Sequence, residues 1–297
     1  MISYGKYEYI PELKIMWHKI FGDTESYLNS FFGKVYKDEN TLVDIEDGKV
    51  VSVLFMIPYK FIVNGKENEI VYLYALATEP AYRGRKIMSK LIQESLNIST
   101  KRGYALSVLI PADKSLFEYY RQFGFEEYFG RVLLTKTITD IENEQTNKGL
   151  KIQEIEKIPM ELIMADSEQI WTAYSHSEIF SSGGIVLSKE QNEFYLEELK
   201  SEGGQAYVFK MDGNKDGYAL LQLLDDNLLV LETNVDANSL KLFYEALYRL
   251  YKFKAVTFYQ PICFDESEIM PYKKAFAMAK SLNGISVKNP FINRVLM

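Results

Sequence analysis

From Pro11 the apolar residues Leu13, Met16, Trp17, Ile20 and Phe21 recur every three or four positions, which predicts a helix with one buried stripe, ended by Gly22. A second helix follows Asp23 or Thr24, with Tyr27, Leu28, Phe31, Phe32 and Val35 on one side. The pattern then shortens to that of strands. Thr41 to Ile45 and Val50 to Phe55 flank the hairpin turn Asp47-Gly48, Tyr59 to Val63 extends the second strand past Pro58, and Asn64-Gly65 turns into Glu69 to Thr78. Ile2 to Tyr9 reads as a short first strand.

Helical spacing returns with Ile87, Met88, Leu91, Ile92 and Leu96 and closes near Gly103. Tyr104 to Ile110 is apolar enough for a buried strand parallel to the one before, making a strand-helix-strand unit. A short helix starts at Asp113 or Ser115, where Ser115 and Glu118 fit a capping box, and Gly124 ends it before the strand Arg131 to Thr137. Thr139 to Gly149 is polar and charged and reads as a linker. Beyond it, Ala206 to Lys210, Tyr218 to Leu224 and Leu228 to Thr233 are strands, Ser239 to Leu250 is a helix and Ala255 to Tyr259 a further strand. This second strand-loop-helix-strand run has the layout of the first, as one unit used twice.

The two runs differ at the loop that opens the helix. In the first, the strand Leu73 to Thr78 stops at Pro80, and Arg83, Gly84, Arg85 and Lys86 precede a helix expected to begin near Arg85 or Lys86. Helix-start amides lack intrahelical partners and sit at the positive end of the dipole, so cations and a glycine there make an anion site fit for a pyrophosphate. With a single glycine and no Gly-Lys-Ser/Thr, it is neither a P-loop nor a dinucleotide fingerprint. The second loop, Asn234 to Ser239, has no cation and carries Asp236, which repels phosphate.

The run Pro80-Ala81-Tyr82-Arg83-Gly84-Arg85-Lys86-Ile87-Met88-Ser89 resembles the cofactor motif of the GNAT superfamily of N-acetyltransferases, Arg/Gln-x-x-Gly-x-Gly/Ala after a strand and a proline. Arg83 and Gly84 match; Lys86 and Met88 stand where the pattern has glycine and glycine or alanine. Tyr120-Arg121-Gln122-Phe123-Gly124-Phe125 is similar to the family's Tyr-x-x-x-Gly-Phe. The element order is also that of a GNAT fold, an α/β class with a mixed sheet.

The resemblance implies acetyl-CoA as cofactor, held by Arg83 to Ser89, with the amides of Leu76, Ala77 and Thr78 paired to the pantetheine arm and one of them serving as oxyanion donor. It implies Tyr120 as the acid that protonates the thiolate, Tyr119 being one residue out of register, and the two first helices as walls of the acceptor pocket. No motif names a general base; Glu79 borders the phosphate loop and suits a surface role. The repeated unit implies a GNAT domain over 1–138, a linker over 139–149, and a degenerate GNAT-like domain over 150–297 that shapes the substrate side. That tandem layout resembles the enhanced-intracellular-survival type of aminoglycoside acetyltransferase, without its third domain. In those enzymes the terminal carboxylate reaches the active site; here Pro290 to Met297 suits a docked tail, read first as an edge strand.

Composition narrows the partners. The chain has 297 residues, 41 acidic against 34 basic, and a net charge of −7, which argues against a nucleic-acid or anionic-membrane binder and favours cationic acceptors such as amines. Two histidines, His18 and His176, exclude a histidine-rich metal site, and a single cysteine, Cys263, excludes an internal disulfide framework. With no leader and no apolar run of membrane length, the expectation is a cytoplasmic N-acetyltransferase acting on a small-molecule or peptide amine, self-assembly being left open. The alternative is a coenzyme A or ligand-binding sensor without catalysis.

Overall fold

The computed structural model describes residues 1–63, 65–141, 159–177, 184–259 and 273–285. The expected turns and caps begin the chain. After β1 (Ile2–Tyr4) comes a short 3-10 turn in place of further strand, then α1 (Ile10–Phe21) and α2 (Glu25–Lys34). Gly22 ends α1 at φ 79°, and the Thr24 hydroxyl accepts the Tyr27 amide to start α2.

Next come β2 (Thr41–Glu46), β3 (Lys49–Val63) and β4 (Lys66–Thr78), an antiparallel meander. Asp47 and Gly48, both with positive φ, form the first turn. Pro58 lies inside β3, where β2 has already ended and β8 (Ile185–Val186) has not begun; its carbonyl is taken by the Gln191 side chain, so that edge asks for no donor. Then α3 (Ile87–Lys101) crosses to β5 (Leu106–Leu109), parallel to β4, followed by α4 (Lys114–Arg121) and β6 (Glu126–Thr137). The helix cap is Asp113, which accepts the Ser115 and Leu116 amides; Glu118 pairs with Arg121 instead of closing the expected box.

The later segments supply β7 (Ile163–Met164), α5 (Ser167–Ser175), β8, α6 (Lys189–Ser201), β9 (Gln205–Lys210), β10 (Asp216–Leu224), β11 (Asn227–Thr233), α7 (Leu240–Tyr251), β12 (Ala255–Tyr259) and β13 (Lys273–Ser281). α5 and α6 carry complete capping boxes, Asp166 with Gln169 and Ser188 with Gln191. As the repeated pattern requires, β11 and β12 are parallel with α7 between them.

The described strands belong to one mixed sheet in the order β1-β2-β3-β4-β5-β13-β6-β12-β11-β10-β9-β7, with β8 added beside β3. The late strand β13 lies antiparallel between β5 and the first part of β6, while the second part of β6 pairs with β12. Nothing in its Ala-rich sequence announces a strand. Ala277, Met278 and Ala279 are fully buried there, so the slot between two existing strands, rather than local propensity, sets its conformation. The half of the sheet that holds β1 to β5 is therefore completed by residues beyond the sequence division at 138.

Three apolar clusters fill the faces. Leu91, Ile92 and Leu96 of α3 pack with Leu54, Val71, Leu73, Leu109 and Phe125. Phe243 and Leu247 of α7 pack on β9 to β12. The largest cluster joins the two ends of the chain, Trp17, Phe31, Phe55 and Tyr74 meeting Tyr174, Phe194 and Leu220. Among the described residues no helix is long and apolar enough to cross a membrane.

Candidate active site

The site grows from the end of β4. β5 pairs with β4 only at Val71 and Tyr72, so from Leu73 onward β4 leaves its parallel neighbour. On the other side Leu54 faces two residues, Ala75 and Leu76, in a bulge where Ala75 takes φ 46°. A non-glycine residue there is strained, and such strain collects where the chain must re-aim a backbone group. Glu79, Pro80 and a 3-10 turn over Pro80–Tyr82 end the strand.

Below it opens the helix start. Gly84 (φ 76°) and Lys86 (φ 58°) are both left-handed, and α3 begins at Ile87, one or two residues later than its charge pattern suggests. α2, α4, α5 and α6 are capped by side-chain oxygens, whereas Lys86, the N-cap of α3, makes no side-chain cap, as is also true of the N-caps of α1 and α7. The uncapped first turn and the cations beside it form a concentrated positive end.

The remaining candidate residues fall around this point. Leu76 is half-buried, Ala77 buried, and the Thr78 hydroxyl lies 2.8 Å from the Ser52 hydroxyl. Arg83 is exposed and its Nε donates to the Thr78 carbonyl at 3.1 Å. Arg85 pairs with Glu46 at 2.9 Å and lies over the Tyr82 ring. Ile87 is buried, and Met88 packs into the α3 cluster, turned toward the core at the position where the motif has a small residue. The Ser89 hydroxyl sits 3.1 Å from that of Tyr119, a contact that only the fold reveals, because the two residues are thirty positions apart.

Tyr120 is 7% exposed and packs beside Tyr119 and Phe125. Burial pushes its phenol well above the ordinary range, with a smaller push from Tyr119 and Asp113. Tyr72, buried on β4 against Tyr59 and Tyr74, is raised in the same way, chiefly by burial.

On the opposite face of β4 the first two helices lay Trp17, Tyr27 and Phe31 against Tyr74. Phe194 of α6 closes on Tyr27 with ring centroids 6.2 Å apart, and Lys34 pairs with Glu197, so a helix from the later segment walls this side. Glu198 there is raised above the ordinary carboxylate range, chiefly by burial. Glu79 pairs with Lys19 at 2.5 Å, in keeping with a surface role, and His18 and His176 are exposed. Among the described residues no three His, Cys, Asp or Glu gather to hold a metal. Cys263 and the tail from Pro290 to Met297 lie outside the described residues, as do positions 142–149 of the expected linker.

At the start of α7, Asp236 accepts the Ser239 amide at 2.8 Å, so a carboxylate stands where α3 presents Arg83 to Lys86. The repeated unit thus has opposite charge at its two helix starts.

A family model described as acetyltransferase (GNAT) domain matches residues 2–128. Over that stretch the chain is similar to a GNAT acetyltransferase domain. Its helix-start loop and Tyr120 both fall inside the match. No curated protein matches the sequence. Among solved structures, a probable N-acyltransferase from Enterococcus faecalis V583 aligns over 95% of this chain and 72% of its own, with 16% identity and a TM-score of 0.76. A GCN5-related N-acetyltransferase from Kribbella flavida aligns over 95% and 72% with 17% identity and a TM-score of 0.69. Eis1 from Mycobacterium abscessus aligns over 95% and 74% with 12% identity and a TM-score of 0.70. These likenesses show a shared fold over 95% of the chain.

Proposed function

We propose that this protein transfers the acetyl group of acetyl-CoA to a primary amine of a small molecule or peptide, in the cytoplasm. The observation that carries the reading is the parting of β4 from β5 after Tyr72, directly above an uncapped, cation-flanked helix start. An extended pantetheine arm would lie against Leu76, Ala77 and Thr78 as a substitute strand, with its pyrophosphate on the amides of Ile87, Met88 and Ser89 beside Arg83, Gly84, Arg85 and Lys86.

Attack of the neutral amine on the thioester carbon develops negative charge on the carbonyl oxygen, which a backbone amide at the β4 bulge would stabilise. Tyr120 would then give its proton to the departing thiolate. Burial keeps the phenol neutral, so it carries a proton to give, and the same burial would raise the basicity of a thiolate formed beside it. The segment from 150 onward acts as a degenerate GNAT-like domain, with Asp236 at its helix start and Phe194 and Glu198 contributed to the acceptor wall.

The test is a thermal shift with acetyl-CoA, then thiol release over lysine, spermidine, tyramine, glucosamine and an amino-terminal tripeptide, each with wild type and Tyr120→Phe. The expected result is cofactor stabilisation in both proteins and turnover reduced by about 10²-fold in the variant. Binding without turnover on any amine would assign the sensor function instead. Loss of turnover in Tyr119→Phe with none in Tyr120→Phe would move the acid by one residue.

A further inference from the structure

The acetyl-transfer reading leaves the amine's proton without a receiver, and Glu79, the carboxylate nearest the loop in sequence, is tied to Lys19. The face of β4 opposite α3 offers a different route. Tyr74 is the last residue before the bulge at Ala75, two positions from the Leu76 amide, and its hydroxyl is 2.7 Å from that of Tyr27 on α2. Tyr74 is 7% exposed and Tyr27 is half-buried, so the pair runs from the interior toward the surface.

Two carboxylates act on the pair. Asp23, from the turn between α1 and α2, acts on both phenols, and its carboxylate is oriented by the Trp17 indole N–H at 2.7 Å. Glu198 of α6 acts on Tyr27, and Tyr59 of β3 acts on both. Burial is the largest influence on each phenol and keeps both neutral at working pH. Two neutral hydroxyls in hydrogen-bond contact pass a proton by exchange, without either ionising.

We infer that Tyr74 and Tyr27 form the proton exit for the acceptor amine, a role that rests on the acetyl-transfer reading above. As the C–N bond forms and the C–S bond breaks, the nitrogen loses a proton to the Tyr74 oxygen. Tyr74 passes its own proton to the Tyr27 oxygen, and Tyr27 releases one to water beside Asp23 and Glu198. Tyr120 supplies the thiolate proton and recovers it from solvent, so protons balance and nothing is oxidised.

The experiment compares full-length wild type, Tyr74→Phe and Tyr27→Phe with acetyl-CoA and whichever panel amine wild type turns over fastest, from pH 6 to 9. Both variants should lose at least tenfold in kcat with KM for acetyl-CoA unchanged. Imidazole should restore turnover of Tyr27→Phe in proportion to its concentration, since an external base reaches the half-buried position that the hydroxyl vacates, while wild type should not respond. A packing role would not produce that rescue. Variants within twofold of wild type, or a loss that imidazole does not relieve, would overturn the relay while leaving acetyl transfer intact. Should Tyr74→Phe melt at a lower temperature, Tyr27→Phe decides the question alone. Wild type that acetylates none of the panel would sink the acetyl-transfer reading first, and the relay with it.

Discussion

Lys86 holds φ 58° and ψ 24° at the N-cap of α3, with its side chain exposed. For an L-residue this conformation brings Cβ against the following carbonyl oxygen, at roughly 1–2 kcal/mol. Glycine removes that clash but adds freedom to the unfolded chain, at about 0.5–1 kcal/mol. The net gain expected for Lys86→Gly over Lys86→Ala is therefore about 0.5–1 kcal/mol. Both variants lose the same charge, so their difference isolates the backbone. In a chain of this size the gain corresponds to a rise in Tm of about 1–4 °C, read by differential scanning fluorimetry and checked by urea midpoints. Acetyl-CoA titration of the same pair separates two roles of the position. If the ligand meets the amides, Lys86→Gly and Lys86→Ala bind alike, each weaker than wild type by the lost charge, about 0.3–1 kcal/mol. A Lys86→Gly protein less stable than Lys86→Ala would refute the strain argument.

Reversing charge beside the same turn gives a second expectation: Arg83→Glu weakens acetyl-CoA binding at least tenfold, whereas Lys189→Glu, whose cation pairs with Glu168 on the surface, leaves it within twofold. Isothermal titration at low and high salt reads both, and equal effects would make the loop a solvated face. Stability should fall steeply in alkali. Tyr27, Tyr72, Tyr74 and Tyr120 have phenols raised by burial, so above pH 10 the unfolded chain releases protons that the folded chain retains, and each phenol removes about 1.4 kcal/mol per pH unit. Urea midpoints that stay level between pH 9 and 11 would contradict this. Finally, a Cβ at Gly217 would come within 2.2 Å of the buried Phe209 ring across the β9–β10 ladder, so Gly217→Ala should destabilise by about 1–3 kcal/mol in urea denaturation while leaving cofactor binding unchanged.

Local chemistry carried much of the fold into the sequence. Gly22, Thr24 and Asp47-Gly48 act within a few residues of themselves, and their structures follow from backbone sterics and single hydrogen bonds. The basic loop was legible for the same reason, although the left-handed Lys86 moved the helix start to Ile87. What could not be read was set by partners far along the chain. The tyrosine pair joins positions 27 and 74, the Ser89–Tyr119 contact depends on where α4 docks, and β13 becomes a strand only between β5 and β6. Asp113 took the cap that Ser115 was expected to supply because its carboxylate reaches two amides at once; the Ser115 hydroxyl above all, and then those amides, hold it below the ordinary carboxylate range.

The slot filled by β13 also bears on how the protein is made. During translation β5 and β6 leave the ribosome on the order of ten seconds before residues 273–281, at ~5–20 residues per second. For that interval each has an unsatisfied edge along the seam, and such edges are what other nascent chains bind. The first half of the chain cannot close its sheet as it emerges, so its maturation waits on the later segment, and a chain truncated short of that strand would be left with β5 and β6 unjoined.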